Sequence, residues 1–543
     1  MVEPLVSRLK ALSPTINELV KVSGAPGASM GILHDGKVIH TEGFGFYDIK
    51  NQLVPDENTI YYLASLSKSL TATMIAILVE QGKLEWSTPI SAILPHFKHW
   101  DETVQQKASV VDFLAHKSGL APKNNVWSGE FGQASMSRQD ALPMVNSLEK
   151  LSNLGDGFQY NNWGYAVADE ITTALSGDLS WGTTLKHNIF EPLGMSRTIT
   201  SNKTGLDNRA EPYQALSDGT PYHLERRPTF EDGQIMQGAI GIQSCVRDLL
   251  IYYDALLTAF RDQSQHNTTS SADNPLVQVP TLLQAHAKMF ELPSGNENSY
   301  ALGWARTELP APMGSIGLNP TYVAEMPLVG KGLKVPKLCF WHQGSNMCSL
   351  HFVALLPDTH TAVVVLSNGL SNNDVSDWIG QLLLETVIDS PEKNDYLNLA
   401  KISAKNSSAR WPKIKTDLEE ERTLGTSHLP LPSYVGQFSS KNQVLKIEIR
   451  QDDKQLQVCF QGKHEFWYPM EHYEHDVFTW VLTRDENVRR GRFPVTWRNF
   501  YKIRFLRSEN GKIDRLVWEH DGAYSGGECF YRAPIEATLN GGL

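Results

Sequence analysis

Apolar residues Leu66, Leu70, Met74, Ile77 and Leu78 recur every three or four positions, and this spacing predicts a helix over 66–81 that Gly82 is placed to end. Ahead of it, residues 28–47 alternate apolar and polar side chains around His34-Asp35-Gly36, the pattern of a β-hairpin. The first residues intersperse Glu3, Arg8, Lys10, Glu18 and Lys21 among apolar positions, which predicts an amphipathic helix and not a secretory signal. The stretch 86–256 reads as mostly helical with loops. Strand patterns return in Leu338–Trp341, His351–Leu356 and Thr361–Leu366, the last two flanking a second hairpin turn at Pro357-Asp358-Thr359-His360. Strand groups on both sides of a helical insert predict an α/β layered domain closed by strands from both ends of the chain.

Further along, the periodicity weakens and then changes. Residues 261–274 are polar and are expected to form a mobile surface excursion. Residues 391–430 are charged and poor in apolar positions, and read as a linker. Beyond them Leu445, Ile447 and Ile449 alternate with Lys446, Glu448 and Arg450, and Leu456, Val458 and Phe460 repeat the pattern. Asn510-Gly511 between two such runs signals a type I′ hairpin. Meandering strands of this kind predict a small antiparallel barrel. The expected organisation is an α/β domain over 1–390 with its helical insert at 86–256, a linker over 391–430, and a barrel domain over 431–543.

Composition narrows the function classes. A chain of 543 residues is too long for one ordinary domain, so two or three are expected. The net charge of −11, with no cluster of basic and aromatic residues, argues against a nucleic-acid partner. No apolar run approaches the ~20 residues of a membrane span. Five cysteines, odd in number and widely spaced, read as free thiols of a reducing compartment, so a cytoplasmic protein is expected.

The chemistry centres on Ser65-Leu66-Ser67-Lys68. Positions i and i+3 share a helix face, so the Lys68 amine can sit beside the Ser65 hydroxyl and activate it without histidine. Tyr160-Asn161-Asn162 follows a Gly155-Asp156-Gly157 turn and opens an apolar helical run. A Tyr hydroxyl near a Lys can relay protons if its phenol pKa falls from about 10. His342-Gln343-Gly344-Ser345 lies at the end of an apolar strand, where glycine admits a close backbone approach. Other signals are weaker. Gly27-Ala28-Ser29-Met30-Gly31 matches a nucleophile elbow, but a strand follows it where an elbow requires a helix. His96/His99 and His472/His475 have ligand spacing without acidic or Cys partners, so no metal is expected. His116 reads as a structural histidine, and Trp467, Tyr468, Trp480, Trp497 and Trp518 as filling of the barrel core.

The chain resembles the serine β-lactamase and penicillin-binding-protein superfamily, in particular its class C-like branch of esterases, D-amino-acid peptidases and acyltransferases. The resemblance rests on Ser65-x-x-Lys68, Tyr160-x-Asn162 and His342-x-Gly344, with accessory matches at 113–120, 190–195, 238–248 and 366–369. It implies an antiparallel sheet flanked by helices, with a helical subdomain, and likens the C-terminal barrel to a lipocalin-like appendage. It also implies roles. Ser65 would attack an acyl carbonyl, and Lys68 with Tyr160 would move its proton, either of them being the base. The backbone N–H groups of Ser65 and Ser345 would hold the oxyanion, and Asn162 would orient Lys68 and the substrate's acyl side. No cofactor is implied.

Many members carry Lys-Thr-Gly where this chain has His342-Gln343-Gly344. Histidine is mostly neutral at pH 7 and shorter than lysine. This favours neutral esters, lactones, amides or modified peptides over penicillins, and β-lactamase activity is expected to be weak. Hydrolysis of a small-molecule ester, amide or peptide is the leading expectation. Acyl transfer to a small-molecule acceptor, and a silent scaffold or binding protein that assembles into homo-oligomers, stand as alternatives.

Overall fold

Thr361–Ser367, almost all aliphatic, forms a central strand of an eight-stranded antiparallel sheet and is buried along its whole length. In the computed structural model, which describes residues 2–534 apart from 178, 203, 204 and 525, the strand order from one edge is Lys37–Gly45, Gly27–His34, Thr361–Ser367, Ser349–Leu356, Lys337–Asn346, Ala305–Leu309, Asn298–Tyr300 and Ala287–Lys288. Strands from the two ends of the chain therefore meet, Ala28 facing Ser367 and Leu33 facing Ala362. Both predicted hairpins form. Asp35 and Gly36 turn the first with φ of 51° and 67°, the twist that a two-residue connection requires.

Gly27–His34 departs from its sequence pattern. Its alternation predicts a half-exposed strand, yet almost every residue is buried, because helices cover both faces of the sheet. Helix Val375–Val387 packs on Ser349–Leu356 and Thr361–Ser367, and helix Val246–His266 packs on Gly27–His34 and Thr361–Ser367. The N-terminal amphipathic run is two helices, Val2–Lys10 and Ser13–Ser23, the second ended by Gly24 in the left-handed conformation. Helix Ser67–Glu80 is buried along nearly its whole length within the helical region.

Two segments are more ordered than their polarity suggests. The supposed excursion at 261–274 starts inside helix Val246–His266. There Gln263 is fully buried, donating to the Leu276 carbonyl at 2.8 Å and accepting from the Val279 N–H at 2.9 Å. The supposed linker at 391–430 contains the helix Tyr396–Glu421. Its buried positions are Tyr396, Ala400, Ser403, Ser407, Trp411, Ile414 and Leu418, an unbroken stripe at three- and four-residue spacing that includes small polar residues. This helix packs on Ser13–Ser23 and Val375–Val387 and reaches the barrel, where Tyr473 donates to the Leu418 carbonyl at 2.7 Å.

The barrel is closed by eight antiparallel strands running from Gly436–Ser440 to Glu528–Arg532. The Asn510-Gly511 hairpin is present but is not type I′. Gly511 has φ of 75° while Asn510 is not left-handed. Ser508 N–H donates to the Lys512 carbonyl, and the register shifts between Leu506 and Arg507. The longer loop thus supplies the turn that two left-handed residues would otherwise make. Residues 535–543 of the expected barrel domain lie outside the described residues.

Candidate active site

The turn Ala64–Leu66 leads into helix Ser67–Glu80, and Ala64 has φ of 49°, an uncommon conformation for a residue with a Cβ. The surroundings hold it there. Leu63 N–H donates to the Ile242 carbonyl at 2.9 Å, and the Tyr62 carbonyl accepts from Ser349 Oγ at 2.8 Å and from the His351 ring. Strand Lys337–Asn346 runs directly against this turn. A Cβ on Gly344 would lie 2.6 Å from the Leu63 carbonyl oxygen, so only glycine lets the strand approach so closely. Ser345 follows on the strand, opposite Leu350.

The predicted site residues come together on this frame. Lys68 Nζ lies 2.9 Å from Ser65 Oγ, 2.8 Å from Asn162 Oδ1 and 3.2 Å from the Ala239 carbonyl. Asn162 precedes helix Trp163–Leu175. The segment carrying Ala239 is fixed from two sides. Thr71 Oγ1 donates to the Gly238 carbonyl at 2.7 Å, and Gln237 donates to Asp169 at 2.9 Å. The Lys68 Nζ sits 5.0 Å from the centre of the Tyr160 ring, and Ser65 lies close enough to the Tyr160 hydroxyl to draw its pKa downward. Lys68, Asn162, His342 and Gly344 are buried, whereas Ser65, Tyr160 and Ser345 remain partly exposed.

Burial sets the charge states. Desolvation pushes the Lys68 ammonium well below the ordinary lysine range, and the three atoms around Nζ are neutral. Crowding by protein atoms pushes the Tyr160 phenol up, although the nearby Ser65 opposes this. The direction is opposite to the fall that a phenolate relay needs. His342 falls to about 3, mainly by desolvation and then by the neighbouring Lys68. Its Nδ1 lies 2.6 Å from the Gln343 carbonyl and must donate there, so Nε2 accepts from the Tyr300 hydroxyl at 2.8 Å. Both ring nitrogens thus have protein partners.

Three further residues stand beside these. Tyr300 holds His342, and no motif marks it. His116, taken as structural, lies in the site wall with its ring 4.3 Å from that of Tyr160 and 4.7 Å from that of Tyr300. Its Nδ1 accepts from the Asn161 N–H at 3.1 Å, and its left-handed φ of 58° is a signal that only the backbone reveals. Asn124, in a loop without periodicity, accepts from Asn162 Nδ2 at 2.9 Å.

The competing candidates lie elsewhere. Ser29 is fully buried inside its strand, bonded to the Asp56 carbonyl and to Tyr61, each at 2.8 Å. His99 bonds to the Leu148 carbonyl and accepts from the Asp101 N–H, and His472 bonds to the His475 carbonyl. Among the described residues, no group of three His, Cys, Asp or Glu is placed to hold a metal ion. No described helix is long and apolar enough to cross a membrane.

Comparison with known proteins shows what the chain is similar to. An unguisins hydrolase from Aspergillus campestris is 24% identical over 73% of this chain and 66% of its own length. The putative penicillin-binding protein PbpX of Bacillus subtilis is 29% identical over 41% of this chain and 55% of its own. The chain thus spans less than two thirds of the length of either relative. The solved octameric penicillin-binding protein homologue from Pyrococcus abyssi superposes with a TM-score of 0.55 at 19% identity, covering 96% of this chain and 99% of its own, which shows a shared fold. Residues 421–530 match a domain of unknown function (DUF3471). Residues 12–385, which carry the whole Ser65–Lys68–Tyr160–Asn162–His342 constellation, match the Beta-lactamase family, and the chain belongs to that family.

Proposed function

We propose that the protein is a serine hydrolase that cleaves an ester or amide bond of a small molecule or peptide through an acyl-Ser65 intermediate. The observation that carries this reading is the environment of Lys68. A neutral amine has two N–H donors and one lone pair. Its three neighbours are two carbonyl oxygens, which can only accept, and one hydroxyl, which can donate. Lys68 is therefore equipped to take the Ser65 proton as general base.

Ser65 Oγ then bonds to the acyl carbon while its proton passes to Lys68 Nζ. The resulting oxyanion faces the backbone N–H groups of Ser65 and Ser345, each such donor being worth about 3–4 kcal/mol. Tyr160 keeps its proton at rest, and in this reading it hands a proton to the departing alcohol or amine and is replenished from Lys68. Water attacks the acyl-enzyme by the reverse route. Asn162 and the Ala239 carbonyl aim the amine. His342, neutral and held by Tyr300, offers no charge to a substrate carboxylate, which supports neutral substrates over penicillins. The likeness to a relative named as a hydrolase supports hydrolysis over acyl transfer in this reading. The five free thiols fit a reducing, cytoplasmic setting.

The test is covalent labelling. A fluorophosphonate or β-lactone should add one mass increment on Ser65, and Ser65→Ala should lose both the adduct and turnover of activated esters. Labelling that persists in Ser65→Ala, or maps to Ser29, sinks the assignment. Product analysis with and without added alcohols or amines separates hydrolysis from transfer.

A further inference from the structure

The loop that carries Asn124 is held by the barrel. Lys123 is 1% exposed, and its Nζ lies 2.7 Å from Glu528 of the barrel and 3.0 Å from Glu149. Its backbone N–H donates to Asp521 of the barrel at 2.6 Å. On the other side of Asn124, Asn125 Nδ2 donates to the His520 carbonyl at 2.9 Å, and the His520 ring bonds to the same Glu528 at 2.9 Å. Lys123 has φ of 36°, a conformation that persists where surrounding contacts over-determine it. Further along the loop, Phe131 N–H donates to the Arg490 carbonyl of the barrel at 3.0 Å.

Between these two anchors, Asn124 is exposed and makes its contact with Asn162, and Asn162 in turn holds Lys68 at 2.8 Å. A continuous path therefore runs from Glu528 and Asp521 through Lys123 and Asn124 to Asn162 and the amine beside Ser65. Both flanking residues of Asn124 are fixed by the same barrel strand and its approach, so the barrel sets where the Asn124 amide stands.

We propose that Lys123 is a positioning residue of the active site and that the C-terminal barrel, acting through it and Asn124, sets the orientation of Asn162 and Lys68. This rests on the reading that Lys68 activates Ser65. Lys123 touches neither the nucleophile nor the amine; its effect is exerted through its neighbour in the chain.

The test is a double-mutant cycle on the full-length protein. Lys123→Met, Lys123→Arg and Asn125→Ala are each made in the parent and in an Asn124→Ala background, and the single-turnover rate of Ser65 acylation by an activated ester is measured. Lys123→Met and Asn125→Ala should slow acylation between about 3- and 30-fold in the parent, and Lys123→Arg should recover most of the loss. In the Asn124→Ala background the same changes should alter the rate by less than about twofold. Asn125→Ala removes one partly exposed hydrogen bond and keeps the test available if Lys123→Met does not fold. Equal losses in both backgrounds, or parent-like rates in the variants while Ser65 is still labelled, overturn the coupling and leave the hydrolase reading intact. Failure of the parent itself to be labelled at Ser65 overturns both.

Discussion

Lys68 is a buried amine whose partners are a hydroxyl and two carbonyls, and this one residue ties reactivity to stability. Its pKa is lowered in the folded chain, so between that lowered value and the ordinary value near 10.4 the unfolded chain binds a proton that the folded chain does not. Folding stability from Lys68 therefore rises with pH across this window and is lost as pH falls through the folded pKa. The melting temperature of the parent minus that of Lys68→Met should grow from pH 7 to pH 10, and a constant difference would show that Lys68 is not held neutral. The same substitution should slow acylation by about 10²–10⁴-fold, the usual contribution of a general base. His342, at about 3, stays neutral in the folded chain between pH 5 and 8, and because the unfolded ring gains a proton below about 6.5 its burial costs stability as pH falls through that value.

At the scale of elements, the site depends on how closely one strand meets one turn. Strand Lys337–Asn346 touches Leu63 at Gly344, and His351 and Ser349 on the neighbouring strand hold the Tyr62 carbonyl. The Ala64–Leu66 turn is thus fixed by the sheet and not by its own helix alone. Gly344→Ala would place a Cβ 2.6 Å from a backbone oxygen, which cannot rotate away. Overpacking of this kind costs about 1–3 kcal/mol, read as a lower denaturant midpoint. The displaced strand carries the Ser345 N–H with it, so kcat should fall more than KM changes. Unchanged kcat would show that Ser345 does not serve the oxyanion.

Across the whole molecule, the end of the barrel that meets the Glu130 loop is filled by aromatic side chains. Phe460 stacks on Trp518 at 4.5 Å, and Tyr468, Trp480 and Phe500 pack around them. Arg492 enters this cluster and pairs with Glu130, on the loop that also carries Asn124, at 3.1 Å, both side chains largely buried. The space left at this end is about 30 Å³, room for about one water molecule. Removing one partner of such a pair strands a charge. Arg492→Met should cost about 3–5 kcal/mol in chemical denaturation, and Glu130→Gln in the same chain should restore part of it. Additive losses would show that the two side chains act independently.

Periodicity along the chain suffices to locate the Ser67–Glu80 helix, both sheet hairpins and the alternating barrel strands. The sequence also supplied Ser65, Lys68, Tyr160, Asn162, His342 and Gly344, because each sits in a short motif whose spacing is read along the chain. The helix Tyr396–Glu421 was missed because Ser403 and Ser407 belong to its buried stripe, and polarity alone hides such a face. Protonation states come from the packed fold, since the fall of Lys68 and the rise of Tyr160 are caused by desolvation on burial. The fold alone brought Tyr300, His116 and Asn124 to the site and joined the barrel to the Lys123 loop. Those contacts are long-range, and no local period records which distant side chain will share a desolvated pocket.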